Sequence, residues 1–254
     1  MKIALCQWDI AYEDKEANKR KIKRLIHGLP KGKAVDWLIF PEMTLTSFSM
    51  KPRVTTLTDA DLAFFAGLAK ERSAFVSFGG VREGRNLLIT LDRSGRTVSS
   101  YAKAHLFARL GEEKAYKPGD KPENFLLDRA RVSPTVCYDL RFPYLYWDLA
   151  GRTDVFVVIA CWPTRRAENW ATLLRARAIE NLCYVVGVNR MGRDPGFEYC
   201  GRSAVYDPMG VEVAACGGKE GVFTADIALS RVAETRRKLP FLKDRKPWPA
   251  RSPD

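Results

Sequence analysis

Residues 132–143 read Val132-Ser133-Pro134-Thr135-Val136-Cys137-Tyr138-Asp139-Leu140-Arg141-Phe142-Pro143. The β-branched run reads as a strand that stops at a cysteine, and the residues after it turn polar. This spelling predicts a thiol at the carboxyl end of a strand beside a loop, where open α/β sheets hold ligands. Two further stretches end in the same way. Val35-Asp36-Trp37-Leu38-Ile39-Phe40-Pro41-Glu42 is an apolar strand stopped by a proline and a carboxylate, and Val98-Ser99-Ser100-Tyr101-Ala102-Lys103 alternates before reaching a lysine. A carboxylate, an ammonium and a thiol at three strand ends are the groups needed for attack by a thiolate. The glutamate then moves protons and the lysine stabilises developing negative charge.

Each of these residues also has a plainer reading. A cysteine ending a buried strand is more often inert packing than a nucleophile. Cys161, at the end of the apolar run 155–160, occupies almost the same setting, so local sequence does not choose between the two thiols. Glu42 reads equally as a surface acid opening a loop, and Lys103 as a solvated strand-end lysine. His105 offers a cysteine–histidine pair of the papain type, but that arrangement also needs an asparagine partner and a different chain order. His27 falls on a surface helix, away from these motifs.

The bulk numbers set the class. A chain of 254 residues that is 46% hydrophobic buries a large core and fits one α/β domain. No apolar run reaches the ~18–20 residues of a membrane span, and the start of the chain lacks the apolar core and cleavage site of a signal peptide. Six cysteines without a CxxC pair and only two histidines offer no metal-binding spacing. They read as reduced core residues of a cytoplasmic protein. The net charge of +12 gathers in 15–24 and 231–251. No basic run is interleaved with aromatics, so the charge reads as a solvated surface that attracts anions rather than as a nucleic-acid footprint.

Along the chain, residues 2–8 alternate as a first strand. Ile22, Leu25, Ile26 and Leu29 then recur at helical spacing within 13–29, and Pro30 follows as a stop. Residues 43–58 read as a long polar loop forming a wall or lid beside Glu42. Thr58 caps a helix that buries Leu62, Phe65, Leu68 and Ala69. Residues 74–81 form a strand, and Arg93-Ser94-Gly95-Arg96 turns a hairpin between 86–92 and 97–103. Residues 104–122 read as a loop. Helices over 142–150 and 166–181 alternate with strands over 154–160 and 183–189. The pattern then changes to strands at 197–206, 211–216 and 221–226, a last helix at 228–238, and a basic tail from 240. No repeat or linker appears.

Taken together, Phe40-Pro41-Glu42, Tyr101-Ala102-Lys103-Ala104-His105-Leu106-Phe107 and Cys137-Tyr138-Asp139-Leu140-Arg141-Phe142-Pro143 resemble, in order and spacing, the three motifs of the nitrilase superfamily of carbon–nitrogen hydrolases. Ser47-Phe48-Ser49-Met50, Trp162-Pro163-Thr164-Arg165-Arg166 and Arg175-Ala176-Arg177-Ala178-Ile179-Glu180-Asn181 resemble its omega-amidase branch. The resemblance implies a single α-β-β-α sandwich over 1–254, with 240–254 as a C-terminal tail, assembled as a homodimer or higher homo-oligomer. It also implies Cys137 as nucleophile, Glu42 as general base, and Lys103 with the Tyr138 N–H as oxyanion donors. Glu112, preferred to Glu113, orients Lys103 and the amide. Arg141 is the candidate for a substrate carboxylate, with a salt bridge to Asp139 or another acid as the competing reading. Cys161 and Trp162 line or adjoin the pocket. Lys103 beside the thiol is expected to lower its pKa. The implied reaction is hydrolysis of a small anionic amide, with no metal or cofactor and without nucleic-acid or membrane partners. Nitrile or N-carbamoyl amine hydrolysis, and a non-enzymatic basic binding module, are the competing functions.

Overall fold

The computed structural model describes residues 1–29 and 35–246. Chain order alternates strand and helix at first. Strand β1 (Lys2–Gln7) leads to α1 (Lys15–His27), whose N-cap Asp14 accepts the Ala17 N–H at 2.9 Å, and then to β2 (Trp37–Ile39). The short α2 (Pro52–Thr55) precedes α3 (Asp59–Arg72), which opens with the expected Thr58–Asp61 capping box. Strands β3 (Phe75–Arg82), β4 (Arg85–Leu91) and β5 (Thr97–Ala102) complete the first half, with Gly95 in the left-handed region at the expected hairpin. After α4 (Glu112–Ala115) come β6 (Phe125–Leu127), β7 (Ala130–Val136), α5 (Pro143–Trp147), β8 (Val155–Ala160), α6 (Ala167–Asn181) and β9 (Tyr184–Asn189). The ribbon β10 (Met191–Arg193) and β11 (Glu198–Cys200) follows, then β12 (Ala204–Tyr206), β13 (Glu212–Ala215), β14 (Gly221–Asp226) and α7 (Leu229–Lys238).

Two six-stranded mixed sheets result, ordered β14-β1-β2-β3-β4-β5 and β13-β12-β9-β8-β7-β6. Each has three parallel strands at its centre, β1-β2-β3 and β7-β8-β9, flanked by antiparallel ones. Strand alternation builds the layers. Ile3 and Leu5 of β1 share a core between the sheets with Val132 and Val136 of β7 and Val186 and Val188 of β9, while Ala4 and Cys6 pack with Ile22, Ile26 and Phe65 of α1 and α3. On the far side, Phe156 and Val158 pack against Trp170, Leu174 and Ala178 of α6. The order is therefore helix, sheet, sheet, helix, the sandwich that the motifs imply.

Several expectations need correction. Residues 43–58 form a wall of the cleft through Phe48, as expected, but they are not simply a polar loop. Met43 to Ser47 and Ser49 are buried and the segment contains α2, because its polar side chains bond inward: the Thr44 hydroxyl donates to the Pro41 carbonyl at 2.6 Å and accepts the Gly79 N–H at 3.0 Å. Residues 104–122 contain a 3₁₀ turn and α4. The 197–206 stretch is two strands in different sheets, β11 and β12, parted by Gly201 in the left-handed region. Pro30 and residues 247–254 of the tail lie outside the described residues. Among those described, no helix is long and apolar enough to cross a membrane, and all six cysteines are free.

Candidate active site

The strand-end motifs converge. Glu42 lies three residues beyond β2, Lys103 directly follows β5, Cys137 follows β7 and Cys161 follows β8. The Lys103 ammonium, 1% exposed, donates to Glu42 Oε1 at 3.1 Å and to Glu112 Oε1 and Oε2 at 3.0 and 2.8 Å. Both carboxylates are fully buried. Glu113, next in sequence, is exposed, so Glu112 is the acid that reaches the lysine. Burial alone would lower the Lys103 pKa, but the charges of Glu112 and Glu42 outweigh it and hold the ammonium well above its ordinary value.

Glu42 is held from three directions. Its Oε1 also accepts the Asn86 amide at 2.8 Å, and its Oε2 accepts the Cys161 backbone N–H at 2.8 Å. The same Asn86 nitrogen donates to Glu112 Oε1 at 2.9 Å, so one amide bridges two carboxylates that would otherwise repel. Asn86 is a site residue that the motifs did not reveal. Its one local signal is an asparagine at the head of an otherwise apolar strand, Leu87-Leu88-Ile89, where asparagine is disfavoured.

Cys137 sits on a sharp corner. It ends β7 and opens a 3₁₀ turn, Cys137–Arg141, with its own φ at +47°. A non-glycine residue in this region carries about 1–3 kcal/mol of strain. The corner aims its side chain at the cleft and starts a turn whose first N–H groups, Tyr138 included, have no acceptor within the turn. Buried Asp139 holds the corner: it accepts the Val136 N–H at 3.1 Å, the Tyr101 hydroxyl at 2.8 Å and the His105 N–H at 2.9 Å. Tyr101 and His105 flank Lys103, so Asp139 fastens the thiol's turn to the lysine's segment across the two sheets. The His105 ring is engaged with Asp139 at 3.0 Å and with the Tyr144 hydroxyl, and it stacks on Phe142. These contacts remove it from the role of base to Cys137.

The expected lowering of the thiol pKa is not found. Burial first, and then the charge of Glu42, raise Cys137 well above an ordinary thiol, and Lys103 only partly opposes them. Burial is the main reason, and charge adds to it, because Lys103 already serves two carboxylates. Burial and the carboxylates thus favour the protonated thiol over the thiolate. Cys161, 5% exposed, is also raised well above the ordinary value by burial and by Glu42, and its Sγ–H donates to the Glu42 carbonyl at 3.3 Å. Its contribution to the site is the backbone N–H that fixes Glu42.

The cleft over these groups is lined by Phe48, Lys103, Phe107, Cys137, Tyr138, Arg141, Cys161, Trp162, Arg166 and Tyr199, among others. Trp162 is anchored by its N–H on Asn189 Oδ1 at 2.7 Å and by its indole N–H on the Arg166 carbonyl at 2.8 Å. The Arg141 guanidinium lies 5.0 Å from the Trp162 ring centroid and reaches Asn169 at 3.5 Å. Among the described residues no acid pairs with it, and Asp139 is occupied elsewhere. Behind the wall, fully buried Arg190 bonds Asp9 at 3.0 Å, Ser47, and the Ile10 carbonyl at 3.1 Å, and packs 4.3 Å from the centroid of Tyr199. This charge, which the motifs also did not reveal, ties the segment after Glu42 to the β10–β11 ribbon.

Comparison with known proteins gives the following. Residues 2–237 match the family model described as carbon-nitrogen hydrolase. The chain is 31% identical to the 2-oxoglutaramate amidase of Bacillus subtilis, over 95% of this chain and 96% of that protein. It is 33% identical to omega-amidase YafV of Escherichia coli K12, over 96% of each. It superimposes with a TM-score of 0.90, at 30% identity and 98% coverage of each chain, on XC1258 from Xanthomonas campestris, described as a CN-hydrolase superfamily protein with an arsenic adduct in the active site.

Proposed function

This chain belongs to the carbon–nitrogen hydrolase family, in the omega-amidase-like branch of the nitrilase superfamily, and we propose that it cleaves the terminal amide of small dicarboxylic monoamides through a thioester on Cys137. That it is an amidase acting on non-peptide carbon–nitrogen bonds follows from the family and from relatives named for that activity. The observation that carries the finer reading is the buried Glu42–Lys103–Glu112 cluster beside a strained cysteine in one cleft.

In this reaction Glu42 takes the Sγ proton as the sulfur adds to the amide carbon. The carbonyl oxygen becomes an oxyanion held by the Lys103 ammonium and the Tyr138 N–H. Glu42 passes the proton to the amide nitrogen, the carbon–nitrogen bond breaks, ammonia leaves and a thioester remains. Glu42 then takes a proton from water, the resulting hydroxide adds to the thioester, and collapse expels the sulfur, which recovers its proton. Glu112 and Asn86 hold Lys103 and Glu42 in register. Arg141 takes the substrate's far carboxylate with its planar fork. The proposed substrates are 2-oxoglutaramate first, a reading supported by the name of the Bacillus subtilis relative, and 2-oxosuccinamate, its shorter homologue. Nitriles and N-carbamoyl amines use the same groups, and the Arg141 guanidinium at the cleft, which no acid among the described residues pairs with, supports an anionic amide over either.

Ammonia release from a panel of ω-amides tests the reading. Cys137→Ala should abolish turnover while Cys161→Ala keeps part of it, and intact-mass spectrometry after a brief mix should find the acyl group on Cys137. An acyl group on Cys161, or a panel without turnover, would sink the proposal.

A further inference from the structure

Arg166, from the Trp162-Pro163-Thr164-Arg165-Arg166 stretch, takes no part in the chemistry above, yet it lines the same cleft as Cys137 and Arg141. Its guanidinium is placed over the Phe107 ring, 5.5 Å from the centroid, as Arg141 is placed over Trp162 at 5.0 Å. Two planar cations thus lie on two aromatic walls of one pocket, and stacking limits their freedom. The half-buried Arg166 has no ion pair with an acid among the described residues. Burial, together with the cations of Arg165, Arg141 and Arg109, lowers its pKa. A half-buried cation among other cations is costly unless an anion joins it. The far end of the cleft has the opposite sign, because Glu42 and Glu112 exceed Lys103 by one charge. The pocket is therefore polar along its length, negative at the sulfur and positive towards the arginines.

We propose that Arg166 is the second guanidinium of the carboxylate subsite, closing with Arg141 on the far carboxylate of the substrate and setting the preference for ω-monoamides over neutral amides. The inference rests on the amidase reading and names its specificity determinant. A carboxylate held between two stacked guanidiniums leaves the uncharged amide to enter the negative end, which orients the substrate.

The test compares succinamate with its neutral isostere levulinamide. In Arg166→Gln the ratio of kcat/KM for succinamate over levulinamide should fall by about 10- to 100-fold, as for loss of a charged hydrogen bond. Arg166→Lys, which keeps the charge without the fork, should fall in between. Arg165→Gln, at an exposed position, should change the ratio by no more than about threefold. In parallel, calorimetry on Cys137→Ala reads binding without turnover: succinamate should bind more tightly than levulinamide, and Arg166→Gln in that background should erase the difference. Equal losses on both amides, or unchanged succinamate binding in the double variant, would overturn the clamp. Retained Arg166-dependent binding in a protein that releases no ammonia would leave the clamp standing and remove the amidase reading instead.

Discussion

At the scale of single residues, the resting state of Cys137 decides how the chemistry starts. A thiol whose pKa is raised by burial and by Glu42 favours its protonated form at neutral pH, so in the proposed reaction the nucleophile forms only when Glu42 accepts the proton. This separates reactivity towards alkylating agents from catalysis. Glu42→Gln keeps the shape but removes the negative charge, so the thiol pKa should fall and the thiolate fraction should rise. Iodoacetamide should then label Cys137 faster than in the wild type, on the order of tenfold at pH 8, while amide hydrolysis is lost. In the wild type, labelling should still be climbing with pH above 9, the ordinary thiol value. Slower labelling of Glu42→Gln would mean that Glu42 assists removal of the thiol proton more than its charge opposes the thiolate.

At the scale of elements, strands place the site only because backbones come very close. A Cβ added at Gly79 of β3 would lie 2.6 Å from both the Glu42 Cα and the Met43 N, and these are backbone atoms that cannot swing away. Gly79→Ala should therefore push the Glu42 turn outward. The expected cost is about 1–3 kcal/mol of stability, with a fall in kcat out of proportion to the fall in melting temperature. Gly67, in α3, has nothing within 4 Å of its would-be Cβ. Gly67→Ala should raise stability by roughly 0.5–1 kcal/mol through helix propensity and leave kcat unchanged. Thermal melts and steady-state kinetics on the pair check both claims, and a Gly79→Ala enzyme with normal kcat would show that the turn tolerates the shift.

For the molecule as a whole, a net charge of +12 surrounds a cleft whose deepest groups carry a net negative charge. The overall field should speed capture of anionic amides, and salt should screen it beyond a Debye length of ~8–10 Å. Raising ionic strength should lower kcat/KM for an anionic ω-amide while leaving a neutral amide of equal length nearly unchanged, with the effect carried by KM. A neutral amide with the same salt dependence would point to a general effect on the fold. The core between the sheets carries the remaining long-range order, because Asp139 and its partners Tyr101 and His105 join segments of the two halves into one frame.

The sequence by itself determined most of the strands, the principal helices and their order, because periodicity and β-branched runs are local properties, but it left out β6 and β10 and ran β11 and β12 together. It also put a carboxylate, an ammonium and a thiol at strand ends, and the chain order of Glu42, Lys103 and Cys137 carried the family. Only the tertiary structure decided which polar residues meet. Asn86 bridges Glu42 and Glu112 from a strand whose local sequence reads as apolar, and Arg190 reaches back to Asp9 over 181 positions. It also distinguished the two thiols, turning Cys161 onto the Glu42 carbonyl and Cys137 through a left-handed corner into the cleft. The sign of the Cys137 shift belongs to the same category. A lysine in a motif suggests a lowered thiol pKa, but burial of the sulfur disfavours the thiolate first, and the charges of Glu42 and Glu112 folded around it add to that against one ammonium.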